Sequence, residues 1–209
     1  MKRHVLFLLF LAFSLCATAQ TQLSETQSQE VKTSLTKAAV SMQTLQCRFV
    51  QSKTMAMLAE PSVSEGKMYF ASPDRLRWEY TAPYAFALVV NGDRIVKVTD
   101  GNAEVLDGNS GKMYQGIVGV IMGSASGKNL FDDTMFDVVI FDDGTCWKAE
   151  MTPKRRDMKR MFSQLVFHFD KKSQVIDHVE FVEPKGDKTV IRFVDVRLNG
   201  TIDDSVFKE

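Results

Sequence analysis

The sequence predicts a mainly β fold with a minor α component: an antiparallel, meandering sheet preceded by one amphipathic helix and interrupted by one short apolar element. Three observations carry this reading. From about residue 45 onward, apolar and polar residues alternate with the two-residue period of strands. Turn signals separate most of these runs, and consecutive hairpins without helical crossovers give an antiparallel sheet. Ahead of them, Val31, Leu35, Ala38, Ala39, Met42 and Leu45 recur at helical spacing in a segment that Ser24 begins, which sets one apolar stripe along a helix.

After the helix, strands are expected over about 45–58, 65–71, 74–81, 85–91, 94–99, 134–142, 145–152, 160–170, 175–183 and 188–198. Residues 65–83 are the most informative stretch. There two strands turn around a Ser72-Pro73-Asp74 corner. Met68, Phe70, Leu76, Trp78 and Tyr80 project to one face, and Lys67, Arg75, Arg77 and Glu79 to the other. Such a wall either packs a core or lines a pocket for an apolar ligand. The clearest hairpin signal is Asn91-Gly92, with both central residues able to take positive φ. Asp143-Gly144, Lys171-Lys172-Ser173 and Pro184-Lys185-Gly186 mark further hairpins.

Residues 111–127 break the pattern. Met113, Ile117, Val120 and Ile121 fit a short helix that Gly116, Gly119 and Gly123 each weaken by roughly 0.5–1 kcal/mol relative to alanine. The element reads either as a packed connector between two halves of the sheet or as a loosely held lid. One sheet with a single apolar face, two helices to cover it and many aromatics can close over a cavity instead of filling it.

Met1-Lys2-Arg3, an apolar run from Val5 to Phe13 and Ala17-Thr18-Ala19 form the three regions of a secretory signal, with cleavage expected before Gln20. The apolar run is shorter than the roughly 20 residues of a membrane span. Leu15 stands directly before Cys16, where a lipoprotein signal has a small residue, so a lipid anchor is not expected. The chain from residue 20 onward carries 24 basic and 26 acidic residues, a balance that argues against a nucleic-acid partner. Its length suits a single domain, residues 20–209. Cys47 sits among apolar positions and Cys146 among polar ones, so the two are poor partners for a disulfide.

Several segments, taken in order, carry a resemblance. Phe49 and Gln51 within residues 45–51 have a Phe-x-Gln spacing after the opening helix. Gly66 follows, then Pro73, Trp78 and Tyr80 in a Pro-x-x-x-x-Trp-x-Tyr hairpin, Pro83, and Val89-Val90-Asn91-Gly92. Residues 149–153, 165–170, 189–193, 196–199 and Ile202 to Phe207 take up the later strands. In order and spacing these resemble the LolA family of periplasmic lipoprotein carriers over nearly the whole chain after the signal. The resemblance implies a strongly curved, incomplete β-barrel covered by the N-terminal helix and a short lid helix. It also implies a hydrophobic cavity for lipoprotein acyl chains, with Phe49, Met68, Phe70, Leu76, Trp78, Tyr80, Leu88, Val90, Ile117 and Ile121 as its wall. The expected partners are acylated lipoproteins or lipid, an inner-membrane exporter and an outer-membrane acceptor, and the expected state is a monomer in the periplasm. A sensor of mislocalised lipid or protein, or a carrier of a specialised lipid, would use the same half-barrel.

Met55, Met57, Met68, Met113 and Met122 supply unbranched, adaptable surface for such a task, or else fill core gaps. In the family an arginine precedes the proline and holds the lid. Here Ser72 stands in that place, so locking by that residue is not expected. The chain stops soon after Phe207, and a further C-terminal strand is not expected.

Enzymatic readings find little support. Beyond the signal only His168 and His178 are present, with no Gly-x-Ser-x-Gly elbow, phosphate loop or paired-cysteine metal pattern, so no catalysis, cofactor or metal is expected. If residues 168 and 178 face each other, His168, His178, Asp170 and Glu180 share a surface that could hold zinc or copper, and a slip of one residue would separate them. The basic run 154–160 reads as a solvated loop or as a docking surface for an acidic partner or anionic lipid headgroups.

Overall fold

The first helix, α1 (Glu25–Ser41), starts where the sequence supplies a reciprocal cap. Ser24 Oγ accepts from the Gln27 amide, and the Gln27 side chain accepts from the Ser24 amide at 3.0 Å. Val31 and Leu35 bury its apolar stripe. Met42 closes the helix with its amide bonded to Ala39 O. Leu45, which the spacing places on the same stripe, lies instead in a strand, where it pairs with Phe70 on one side and Leu198 on the other. Ladders on both sides outweigh one more turn of helix. The computed structural model describes residues 20–57, 59–106, 120–123, 126–127 and 130–209.

Among these residues lies one twelve-stranded antiparallel sheet. The strands are β1 (Thr21–Gln22), β2 (Thr44–Thr54), β3 (Ser62–Ala71), β4 (Arg75–Ala82), β5 (Phe86–Asn91), β6 (Arg94–Thr99), β7 (Asn102–Val105), β8 (Phe136–Asp142), β9 (Cys146–Pro153), β10 (Gln164–Asp170), β11 (Ile176–Val182) and β12 (Lys188–Leu198). Two meanders, β2–β7 and β8–β12, are joined where β12 returns to pair with β2. The order is β1-β8-β9-β10-β11-β12-β2-β3-β4-β5-β6-β7. The sheet is curved and stays open, as the incomplete barrel required. Its inner face carries the core, including Phe49, Phe70, Leu76, Trp78, Leu165, Phe167, Phe169, Phe181 and Ile191.

The wall of β2–β4 has the expected register: Met68 pairs with Trp78, Phe70 with Leu76 and Gly66 with Tyr80, while Lys67 pairs with Glu79 on the outer face. Gly66 also pairs with Phe49, whose ring lies over it. A Cβ there would stand 2.1 Å from Glu79 O and 2.4 Å from Phe49 Cζ. The absent side chain is what lets Phe49 stack on Trp78, with centroids 4.3 Å apart, and meet Tyr80 edge-on at 5.2 Å.

Several local expectations change. The β5–β6 turn is Gly92-Asp93 and not Asn91-Gly92, because Asn91 still pairs with Arg94; Gly92 has φ +59°. The segment expected as a strand from 160 begins only at Gln164. Before it, Arg156–Met161 form a second helix, α2, with Asp157 in its first turn and Lys159 and Arg160 in its last, which suits the helix dipole. The basic run is thus partly helical and buries Met158. The end of the chain, aligned above with the later strands, contains a 3-10 turn at Asp204–Phe207 that packs on the outer side of β4 and β5. Phe207 is buried there beneath the Arg75 guanidinium, 4.8 Å from its ring centroid. Strands β1 and β7 add pairing at the two edges that the alternation does not signal. Cys47 is buried, Cys146 partly so, and both are free thiols, in keeping with their different faces.

Gly66→Ala should destabilise the chain by about 2 kcal/mol, since the added carbon meets backbone and an aromatic ring that cannot both yield. Thermal unfolding of the purified variant checks this, and an unchanged melting temperature would show that Phe49 does not need the glycine.

Candidate functional site

Between α1 and the inner face of the sheet lies an apolar cavity of about 180 Å³. Leu35, Ala38, Ala39 and Met42 come to it from the helix, and Phe167, Phe169, Val179, Phe181, Ile191 and Phe193 from β10–β12. Met68 and Trp78 close the far side, and Val120 and Ile121 come from the helical residues 120–123. A second cavity of about 230 Å³ adjoins it, lined by Leu76, Tyr80, Phe86, Leu88 and Phe162. Trp78, Ile121, Phe181 and Ile191 contribute to both, so these four side chains form the partition.

The polar groups stand at the margins. Tyr80 OH donates to Gln51 Oε1 at 2.9 Å, and Lys53 pairs with Glu183 at 2.8 Å beside the second cavity. At the first, Gln174 Nε2 donates to Ser34 Oγ at 2.6 Å and ties the β10–β11 loop to α1. Cys47 also faces this cavity, and burial pushes its thiol up to about 12. Among the described residues, the side chains that line the two cavities are mostly aliphatic and aromatic. Such a wall can exclude water from an apolar ligand.

Of the residues placed on the wall by the sequence, Met68 and Trp78 line the first cavity, and Leu76, Trp78, Tyr80 and Leu88 the second; Ile121 serves both. Phe49, Phe70 and Val90 pack in the core behind them and line neither cavity. Ile117 lies outside the described residues, as do most of 111–127. In that segment, Gly127 (φ +67°) rests against α1, where a Cβ would stand 3.0 Å from Ala39 Cβ and from Thr36 O. Ser72 lies below the end of the same helix, its amide bonded to Gln43 O. The wall expected from the sequence does not include β10–β12, which the structure adds. The signal was available: Leu165-Phe167-Phe169, Val179-Phe181 and Ile191-Phe193 alternate as regularly as β3 and β4.

Titratable groups gather on the opposite face. His168 and His178 are cross-strand partners with stacked rings, and Glu180 lies beside both. Asp170 is separated from them by a bulge after His168 and instead caps the following turn through the Ser173 amide and hydroxyl. Burial, helped by the neighbouring His178, holds His168 below the usual imidazole range.

Comparison with known proteins agrees with this architecture. A family model described as outer membrane lipoprotein carrier protein LolA matches residues 40–209. An outer-membrane lipoprotein carrier protein of Chromohalobacter salexigens is 26% identical over 144 residues, 69% of this chain and 65% of that protein, so the match leaves about a third of the relative uncovered. Among solved structures, an uncharacterized conserved protein from Thermus thermophilus superposes with a TM-score of 0.55 at 11% identity, over 88% of this chain and 93% of that one. MucB superposes with a TM-score of 0.52 at 11% identity, over 89% of this chain and 64% of its own. These two likenesses concern the fold alone. With four-fifths of its length matched by one family model, and with the open, helix-covered half-barrel that the resemblance implied, the chain belongs to the LolA family.

Proposed function

We propose that the protein is an exported carrier that buries the acyl chains of lipoproteins under α1 and takes them from an inner-membrane exporter to an outer-membrane acceptor, without covalent chemistry. Residues 1–19 would be removed on export, leaving 20–209 as a single binding domain. The observation that carries the reading is the pair of adjoining apolar cavities on the inner face of the sheet, the first of them under α1. Burying an acyl chain is worth about 0.8 kcal/mol per methylene, so apolar burial can hold such cargo in water with no polar anchor. Each cavity alone is smaller than the roughly 300–1,000 Å³ of ordinary ligand pockets, and cargo uptake therefore uses both or displaces the cover. Small residues of α1, Ala38 and Ala39, give that cover room to shift.

The decisive experiment is mass spectrometry of what the protein carries when purified from cells, joined to depletion. Lipoprotein acyl chains on the protein and mislocalised lipoproteins on depletion are the expected results. A different lipid class on the protein would support a specialised carrier, and normal lipoprotein sorting with only a stress response altered would support a sensor.

Two substitutions separate the helix side of the site from its sheet wall. Ala38→Trp, at a half-buried helix position facing the first cavity, should lower affinity for a fluorescent acyl probe by about tenfold while changing stability by less than about 1 kcal/mol. Leu76→Glu should instead cost about 4 kcal/mol, because Leu76 is fully buried and an unpaired carboxylate would take its place. Probe titration and thermal melting of both variants check the contrast. If Ala38→Trp binds the probe as the parent does, the acyl chain does not pass under α1.

Cys47 provides a further check. With its pKa near 12, less than about one thiol in a thousand is ionised at pH 8, so iodoacetamide should modify Cys47 at least about 100-fold more slowly in the folded chain than in denaturant. Rapid labelling of the folded form would mean that the cavity opens to water far more often than this structure implies.

A further inference from the structure

We infer that the outer face of the sheet holds a site for a divalent transition metal of the zinc and copper(II) class, with His168 Nε2, His178 Nε2 and the Glu180 carboxylate as ligands. The three donor atoms lie within 4.8 Å of one another. His168 Nε2 is 3.5 Å from Glu180 Oε1, and His178 Nε2 is 4.0 Å from the same oxygen. Ligands bonded to one zinc at about 2.0–2.1 Å stand a little over 3 Å apart in a tetrahedron, a spacing close to the present separations of these atoms. Neutral imidazole and carboxylate are the donors that this group of metals prefers.

What distinguishes the cluster from an ordinary polar face is that each ligand has its other end already held. His178 Nδ1 lies 2.6 Å from Asp177 Oδ2. A neutral ring donates its proton there and leaves the Nε2 lone pair outward, the carboxylate–histidine pattern of many metal sites. His168 Nδ1 lies 3.7 Å from Cys146 Sγ, and that thiol is itself 2.9 Å from Asp143 Oδ2. Glu180 gives its second oxygen to Lys188 Nζ at 2.6 Å. Meanwhile His168 Nε2 is buried and has no hydrogen-bond partner, a state that a donor nitrogen in a merely structural cluster avoids. Nearby cations are matched by carboxylates, Lys148 by Glu150 at 2.6 Å and Arg192 by Asp177 at 3.9 Å.

The rings of His168 and His178 now stack, 3.8 Å apart and 14° from parallel. Nitrogen lone pairs lie in the ring planes, so a bound metal must turn the rings until the two planes converge. The site lies opposite the cavity: Phe167, Phe169 and Val179, the chain neighbours of these histidines, point into the first cavity. Metal binding is therefore separable from cargo binding.

Zinc chloride titrated into the purified chain by calorimetry, with equilibrium dialysis for stoichiometry, tests the site. One equivalent should bind. His168→Ala and His178→Ala should each weaken binding by about 100-fold, and Asp177→Asn, which removes only the outer carboxylate, by about tenfold. Because Asp177 is exposed, that variant keeps the test decisive if a histidine replacement fails to fold. Cobalt(II) in place of zinc should show the visible absorption of a tetrahedral site, and acyl-probe affinity should be the same in every variant. Absence of stoichiometric zinc binding, or an affinity left unchanged by both His178→Ala and Asp177→Asn, would overturn the assignment.

Discussion

The fold depends on one pairing, β12 against β2. Those two strands lie almost 150 residues apart in sequence, and all other neighbouring strands within each meander follow one another directly along the chain. The seam runs from Lys188–Thr54 to Leu198–Leu45 and is interrupted only by a bulge after Val194, where Asp195 has φ +55° and meets Arg48 at 2.6 Å. Both cavities straddle it, since Trp78 comes from one meander and Phe181 and Ile191 from the other. Without the seam there would be two small sheets and no shared concave wall. Loop-closure entropy opposes so distant a contact, so the pairing is expected to form late in folding.

The wall and its cover are built from different materials. Phe49, Trp78, Tyr80 and Phe86 form a continuous aromatic run, from the Phe49–Trp78 stack to the Tyr80–Phe86 stack at 4.6 Å, and Gly66 gives that run its footing. Such rings have few rotamers and hold their place. Over the first cavity α1 sets the smaller aliphatic side chains of Leu35, Ala38, Ala39 and Met42, and Gly127 approaches the helix closely.

The sequence was most legible where one face is buried and the other wet. β3 and β4 read correctly because Met68, Phe70, Leu76 and Trp78 alternate with charged residues, and the Cys47–Cys146 separation followed from the same period. Legibility failed where pairing or packing over long distances decides. Leu45 fits both the helical stripe of α1 and the alternation of the strand that follows, and its two partners, Phe70 and Leu198, decide for the strand. Met158 is a lone apolar residue in a run of charges, too little to announce α2. The bulge after His168, which removes Asp170 from the histidine pair, depends on how β10 meets β11 and leaves no trace in the spacing. For the cavity, β3 and β4 drew attention to half of the wall, and the equally regular β10–β12 supply the rest.

A half-barrel that must stay open cannot join its first and last strands, and unjoined strands are sites where a second molecule can add on. Here the exposed borders are β1, two residues long, and β7, four residues long, both lying wholly at the surface. β7 carries Glu104 and follows the turn at Asp100 and Gly101, both with positive φ. Borders this short offer few free amides and carbonyls in register, and a charge along them disfavours stacking. The sheet can therefore stay open while giving copies of the molecule little to polymerise upon.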